Sequence, residues 1–370
     1  MELGTGAVAH MGVDEDFWHG RRVLVTGHTG FKGAWLTLWL TRMGAAVTGL
    51  SHGVPTSVSL YEEARVGDLV TEVHADVRDP VAVRAAMAEH RPQIVIHMAA
   101  QALVRRSFAD PRQTYETNVM GTVNVLEAVR QVGDIRAVVN VTSDKCYDNR
   151  EQGRPFVEDD AKGGHDPYSS SKGCAELVAD AYTRSFFAPV PDGFRLGSAR
   201  AGNVIGGGDW SEDRLIPDIM RAAVAGDAIR VRNPGAVRPW QHVLNPLSGY
   251  LALAQALTES ATAAGGWNFG PAGDDVRPVS WIVERLTELW PDELRWQVDP
   301  GPHPHEAGYL ALDSTKARDR LGWAPAWGLD EALASIVSWY GLLRAGADMR
   351  RATMEQIDAF QVRPSTLPRA

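Results

Sequence analysis

The sequence predicts an α/β protein: a doubly wound parallel sheet with a smaller C-terminal lobe. Three observations carry that reading. Short apolar runs alternate with longer helix-like stretches from Arg21 to Phe187. The first run opens directly into three glycines spaced three apart, Gly27, Gly30 and Gly33. After about Arg200 the alternation gives way to segments rich in Gly, Arg and Pro. Apolar runs of this length are the mark of strands buried on both faces, which parallel sheets require and their crossover helices provide.

The elements follow in order. Residues 1–16 carry neither the charged start nor the apolar middle of a leader peptide, so they are expected to be a loose extension, with the fold starting near Phe17. RRVLVTGHTGFKG, residues 21–33, reads as strand, glycine turn and helix start, the context in which bare backbone approaches a pyrophosphate at a helix N-terminus. In the helix that follows, Ala34–Met43, Trp35 and Trp39 are expected to pack on the sheet. AAVTGLS, residues 45–51, is a second strand. Its end would read a cofactor ribose, and it offers Ser51 and His52 where an acid would select NAD and an Arg would welcome NADP. The choice stays open here. The lack of an Arg favours NAD, while Lys32 and His52 could serve a phosphate.

VTEVHADV precedes a helix from Pro80 to His90, and IVIHMAA precedes one from Arg112 to Val132. Asp76 at the first of these strand ends could hold an adenine amino group, or belong to a helix cap with Asp79. Ala99, Ala100 and Gln101 at the second would let a flat ligand lie close, and His97 within that strand reads as a core histidine with its bonds satisfied. AVVNVTS then delivers Ser143, Asp144 and Lys145 to the sheet edge. Beyond a polar run, DPYSSSK opens a helix running from Pro167 to Phe187 and places Tyr168 four residues before Lys172, on one helix face. A phenol of ordinary pKa about 10 needs a nearby cation to serve as a base at neutral pH, and Lys172 is placed to supply it.

Beyond Arg200, AGNVIGGGDW, RLIPDI, RVRNP and RPWQHV lack a clean period and suit a ligand-binding lobe of loops and short elements. Arg214, Arg232 and Arg238 give an acidic chain a local cationic patch fit for a diphosphate. Leu247–Thr258 is a helix returning to the main sheet, WNFG at 267–270 a closing strand, and PVSWIVERLTELW an amphipathic helix. His303, His305 and Glu306 in PHPHEAG lie among prolines without helical spacing, which suits a loop at a ligand mouth better than a metal site. The expected division is 17–205 with 238–270 for the sheet domain and 206–237 with 271–345 for the lobe, leaving 1–16 and 346–370 as loose termini.

Composition narrows the function. A chain of 370 residues is long for one core. Its net charge of −9 argues against nucleic acid or an anionic membrane as partner, so any anionic ligand must be held by local charge. Two cysteines, Cys146 and Cys174, make no disulfide framework and fit a reducing compartment. With no apolar run long enough to span a bilayer, the expectation is a cytoplasmic protein.

The glycine turn with the Tyr-x-x-x-Lys pair resembles the extended short-chain dehydrogenase/reductase superfamily, whose sheet domain is the Rossmann fold. GHTGFKG, HMAAQ, NVMGT, VTSDKCYDN, DPYSSSKGCAE, AGNVIGGGDW, RPWQHVLNPLSGY, WNFGP and PHEAGYLALD together resemble its nucleotide-sugar 4,6-dehydratase branch, in particular the family acting on CDP-glucose. The resemblance runs from Phe17 to about Ala345. It implies NAD, with NADP not excluded, bound along Gly27, Thr29, Gly30, Phe31, Lys32, Gly33, Ser51, Asp76, Val77, Ala99, Ala100, Gln101, Asn118, Tyr168 and Lys172. A nucleotide-sugar substrate would meet Arg105, Asn203, Arg214, Leu215, Ile216, Arg232, Asn233, Arg238, His305 and Glu306. No metal is implied.

By the same resemblance Ser143 and Tyr168 are catalytic, Lys172 holds the nicotinamide ribose, and Asp144 and Lys145 serve the elimination of water. The related dTDP-glucose enzymes carry Glu where this chain carries Lys145. To act as a base, Lys145 must shed a proton it ordinarily keeps to pH ~10.4, and to act as a cation it would steady an enolate oxygen; both roles stay open. The superfamily implies a homodimer or homotetramer through the helices Arg112–Val132 and Pro167–Phe187. The competing readings are a nucleotide-sugar 4-epimerase, which has no need of Asp144 and Lys145, and a nucleotide-sensing protein that has lost its chemistry.

Overall fold

The strands of the protein, a computed structural model covering residues 13–188, 194–301 and 308–362, are β1 Arg22–Thr26, β2 Ala46–Ser51, β3 Thr71–His74, β4 Ile94–His97, β5 Ala137–Val141, β6 Arg195–Ala201, β7 Asn203–Ile205, β8 Ile229–Val231, β9 Val237–His242, β10 Gly265–Phe269, β11 Val276–Pro278 and β12 Trp296–Val298. Seven of them form one sheet in the order β10-β6-β5-β4-β1-β2-β3, every pair parallel. The order reverses between β1 and β4. That reversal leaves a crevice beyond the strand C-terminal ends, where two crossovers depart to opposite faces.

Alternation within the apolar runs builds two cores. Val23, Val25, Ile94, Ile96, Val139 and Val141 face the side covered by helices Phe31–Arg42 and Leu244–Glu259. Leu24, Val95 and Val138 face the other side, packed with Val83 and Met87 of helix Pro80–His90 and with Val125 and Val129 of helix Gly121–Val132. Trp35 and Trp39 are fully buried in the first core, as their spacing predicts. The dipeptide Asp-Pro starts three helices: Asp79, Asp110 and Asp166 each accept backbone N–H bonds in the first turn, while the proline occupies a position whose own N–H has no helical partner.

The smaller sheets lie outside this layer. β11-β9-β7 is three-stranded, with β7 and β9 parallel and β11 antiparallel to β9, and β8 pairs with β12. The expected returning helix is Leu244–Glu259, and the expected closing strand is β10 at the sheet edge.

One expectation is overturned. Residues after Ala345 are not all loose: Met349–Gln361 is a helix, capped by Asp348 and burying Met349, Ala352, Ile357 and Phe360 against the tryptophan face. The Phe360 ring meets Trp39 and Trp327 at 5.5 Å from each. Charged residues between the apolar positions hide this stripe from a reading of mean polarity. At the other end, Glu15–Trp18 forms a short helix capped by Asp14, so the fold includes residues before Phe17.

Candidate active site

A cleft of about 510 Å³ lies beyond β1, β4 and β5, between that sheet edge and the segments bearing β7, β8, β9 and helix Leu215–Ala225. It gathers Phe31, Lys32, Ala100, Ser143, Asp144, Lys145, Tyr168 and Lys172 from one side with Arg105, Asn203, Arg214, Leu215, Ile216, Arg232, Asn233 and Arg238.

The turn after β5 is built by its own side chains. Ser143 caps a single helical turn, Asp144–Cys146: its Oγ accepts the Lys145 N–H at 3.2 Å and donates to Asp144 Oδ1 at 2.9 Å. Asp144 is buried, and its Oδ2 has no partner. Burial pushes its carboxyl above the ordinary range, against the pull of Lys145 and Ser143. A buried carboxyl that favours its proton is a candidate acid. Cys146, next in the turn, is buried with its thiol pushed up by burial, the mark of an inert cysteine.

Tyr168 sits in the first turn of helix Pro167–Tyr182, its backbone N–H donating to Ser107 Oγ at 3.1 Å. Burial pushes the pKa of its hydroxyl up to about 12, while Ser143 and Arg214 pull it down. One turn on, Lys172 donates from Nζ to the Val141 carbonyl at 3.3 Å, and burial lowers it to about 8. The phenol therefore needs positive charge beside it to ionise, and Lys172, Lys32 and Arg214 surround the same space.

Of the two places open to Lys32, the structure shows the cleft. It lies in the cleft rather than at the ribose end of β2, lowered to about 7 by burial and then by Lys172 and Arg214. At the end of β2, Thr29 Oγ1 instead meets Ser51 Oγ at 2.8 Å and donates to the Gly53 carbonyl at 2.7 Å, which fixes the turn. Asp76 is also engaged: Arg78 grips both its oxygens, with Nη2 at 2.6 Å, and that guanidinium holds the carboxyl below its ordinary range. The adenine role expected for Asp76 would have to share these lone pairs.

The glycine turn has the shape a close ligand needs. Gly27 has φ +74°, and a Cβ there would lie 2.8 Å from the Ala99 backbone, while a Cβ on Gly33 would lie 2.1 Å from the Gly27 carbonyl oxygen. Gly30 precedes helix Phe31–Arg42 and supplies no capping side chain, so the helix N-terminus presents bare N–H groups. Val77 packs against Gly121. Asn118 lies in a π-helical turn, bonding Gln101 through both its amide atoms (2.8 and 3.0 Å) and Ser171 Oγ at 2.8 Å. Gln101 and Asn118 thus tie the loop after β4 to the helix carrying Tyr168. His97 is the satisfied core histidine expected, bonded to Thr26 (2.7 Å) and Thr122 (3.2 Å) and lowered to about 3 by burial.

The arginines do not form an open cationic patch. Arg214 pairs with Asp209 at 3.0 Å, Arg232 with Asp213 at 2.9 Å, and Arg105 reaches the same Asp213 oxygen at 3.3 Å. Arg238 donates to the Val237 carbonyl at 2.9 Å. The carboxylates Asp209 and Asp213 were missed because a cationic patch was counted from its cations alone, although both lie within five residues of Arg214. A buried ion pair beside Lys172, Glu176 with Arg200, was missed as well. His303, His305 and Glu306 lie outside the described residues.

The sequence profile described as GDP-mannose 4,6 dehydratase matches residues 24–336. A Salmonella typhimurium protein named CDP-glucose 4,6-dehydratase is 54% identical over 352 residues, covering 94% of this chain and 98% of that one. Among solved structures, the Thermus thermophilus UDP-glucose 4-epimerase in complex with NAD is 27% identical with a TM-score of 0.75, over 86% of this chain and 99% of the other. The Bacillus anthracis dTDP-glucose 4,6-dehydratase in complex with NAD is 22% identical with a TM-score of 0.72, over 90% and 100%.

Proposed function

The chain belongs to the family described as GDP-mannose 4,6 dehydratase, and from that premise we propose that it converts CDP-glucose to CDP-4-keto-6-deoxyglucose and water, with NAD as cofactor. The observation that carries the dehydration is the buried Asp144 carboxyl, its Oδ2 without a partner, in the same cleft as Ser143, Lys145, Tyr168 and Lys172. The cytidine base follows from the likeness to the Salmonella protein. An epimerase needs the tyrosine and lysine but no acid for a leaving hydroxyl, so a buried, proton-favouring Asp144 speaks for elimination.

The glycine turn, the bare N-terminus of helix Phe31–Arg42 and Lys172 would hold NAD, with Ala99 and Ala100 beside it. When bound, NAD supplies the hydride acceptor for C4 and returns that hydride to C6. Tyr168, charged as phenolate by the cations around it, takes the proton of the 4-hydroxyl, and the Ser143 hydroxyl steadies the oxygen as it becomes a ketone. The ketone acidifies the C5 proton. Asp144 then gives its proton to the departing 6-hydroxyl. Lys145, beside it in the turn, is assigned to the elimination as the base that takes the C5 proton and gives it back to C5 when C6 receives its hydride.

Arg214 and Arg232 from a lobe comprising 206–237 and 271–345, with Arg105 and Arg238 from the sheet domain, are assigned to the diphosphate, and Asn203 and Asn233 to its surroundings. Exposed Met120, Leu177 and Phe186, on the helical segments 111–132 and 167–187, support a dimer through that face. No helix among the described residues is long and apolar enough to cross a membrane, and we place the reaction in the cytoplasm.

The test is incubation with CDP-, dTDP-, UDP- and GDP-glucose, followed by product mass. Loss of water from CDP-glucose in preference to the others supports the reading. Isomerisation at C4 without loss of water would overturn it.

A further inference from the structure

Lys172 has a buried acid one turn behind it. Glu176 lies four residues on along the same helix, buried like Lys172 itself. Arg200 of β6 clasps it through two parallel bonds, Nε to Oε1 at 2.9 Å and Nη2 to Oε2 at 2.7 Å. The same Oε1 accepts the Thr142 hydroxyl. From Nη1, Arg200 also donates to the Tyr147 hydroxyl at 2.7 Å and to the Glu158 carbonyl at 3.0 Å, and the Tyr147 hydroxyl donates in turn to Asn268 Oδ1 at 2.6 Å. β10 leaves room for this guanidinium: a Cβ on Gly266 would lie 2.1 Å from its Nη2.

Two features make this more than a core ion pair. Thr142 and Tyr147 flank the Ser143-Asp144-Lys145 turn, so both of its ends hang on one Glu-Arg pair. Lys172, meanwhile, stands among groups that give it little help. Facing it are Lys32 from helix Phe31–Arg42, His97 from β4, Cys146 from the turn, and Glu176 with Arg200 behind it. His97 and Cys146 are held neutral by burial, and Lys32 repels it. Among these groups Glu176 is the one that carries negative charge at neutral pH, its carboxyl held below the ordinary range by Arg200 and Thr142 against burial. Bidentate pairing to an arginine is the arrangement that keeps a buried carboxylate ionised.

We propose that Glu176 and Arg200 are positioning residues for the reaction, holding both ends of the Ser143–Lys145 turn and keeping Lys172 in its charged form from one helical turn away. The role rests on the dehydration described above. It requires no contact with substrate or NAD.

The test is the alkaline limb of the pH profile. Charged Lys172 is needed both to hold the ribose and to favour the Tyr168 phenolate, so kcat and NAD affinity should fall as pH rises through its pKa. Glu176→Gln removes the opposing charge and should move that limb about one unit or more to lower pH, in kcat for CDP-glucose and in the NAD dissociation constant measured without substrate. Glu176→Asp keeps the charge and should leave the limb near its wild-type position while lowering kcat. Should Glu176→Gln fail to fold because it strands Arg200, the double variant Glu176→Gln with Arg200→Met removes both charges, and its limb should still lie below that of the wild type. Limbs that coincide with the wild type in folded Glu176→Gln, or in the double variant, would reduce the pair to a structural brace and overturn the proposal. If wild-type protein fails to dehydrate CDP-glucose, the functional reading falls on its own, and the NAD titration still decides the role of Glu176.

Discussion

The guanidinium of Arg105 lies 3.3 Å from the Asp213 carboxylate and so ties helix Val104–Ala109, which follows β4, to the segment ahead of helix Leu215–Ala225. Arg232 joins from β8's end, donating to the same oxygen at 2.9 Å and to the Asp213 carbonyl at 2.9 Å. Asp213 holds this position in the left-handed region, at φ +59°. An internal carboxylate therefore keeps two arginines aimed at the cleft, where a diphosphate would compete for them.

Arg232→Ala should raise KM for CDP-glucose about 10- to 100-fold, the loss of one to two charge-assisted bonds, with kcat within about threefold of wild type. Steady-state kinetics at fixed ionic strength would check this. A large fall in kcat at unchanged KM would place Arg232 in the chemistry instead of in binding.

Asp144→Asn keeps the shape of the buried side chain and removes its capacity to act as an acid. Water loss should slow about 10²- to 10⁴-fold, the range for a lost general acid, while oxidation at C4 persists. Rapid-quench product analysis alongside the absorbance of reduced nicotinamide separates the two steps. Product formation within a few-fold of wild type would remove Asp144 from the elimination.

Lys32 carries a stability cost whose pH window follows from its depressed pKa. Below about pH 7 both folded and unfolded chains hold the proton and the burial penalty is fully present. As pH climbs from about 7 toward the unfolded value near 10.5, the unfolded chain holds more protons than the folded one, so stability rises and the penalty disappears. Lys32→Met should thus stabilise the protein by about 2 to 4 kcal/mol at pH 6 and by about 1 kcal/mol or less at pH 10. Denaturant melts at the two values would show it, and an equal gain at both would assign the effect to packing.

Phe360→Ala should cost about 3 kcal/mol, the usual loss for a buried aromatic truncated to Ala, because its ring fills the gap between Trp39 and Trp327. Activity per folded molecule should be unchanged. A loss below about 1 kcal/mol would mean that the last helix only rests on the surface.

The sheet was legible because its strands are buried on both faces: runs such as VLVT and IVIH have no polar face to confuse them with helices. The Ser143-Asp144-Lys145 turn and the Tyr168–Lys172 pair were legible because each is local, a few residues that share a turn or a helix face. What stayed hidden was long-range pairing. Glu176 and Arg200 meet across two elements, and nothing in either neighbourhood announces the other. The direction of Lys32 stayed open because a residue in the glycine turn can point either way along the crevice, and only the tertiary packing around Tyr250 and Lys172 decides. The last helix carried its signal openly, in the spacing of Met349, Ala352, Ile357 and Phe360, but the charges between them outweighed it.

The helices Glu15–Trp18 and Phe31–Arg42 both meet Met349–Gln361, from the far end of the described residues. Arg42 pairs with Asp358, Glu15 receives a bond from Gln361, and Phe360 covers Trp39. A ribosome releases Trp39 long before it releases Phe360. Throughout that interval the nascent chain carries a tryptophan face with part of its cover still unmade, together with a sheet lacking β10. Nothing nearer in the chain can close that face, so its completion waits on residues more than three hundred positions away.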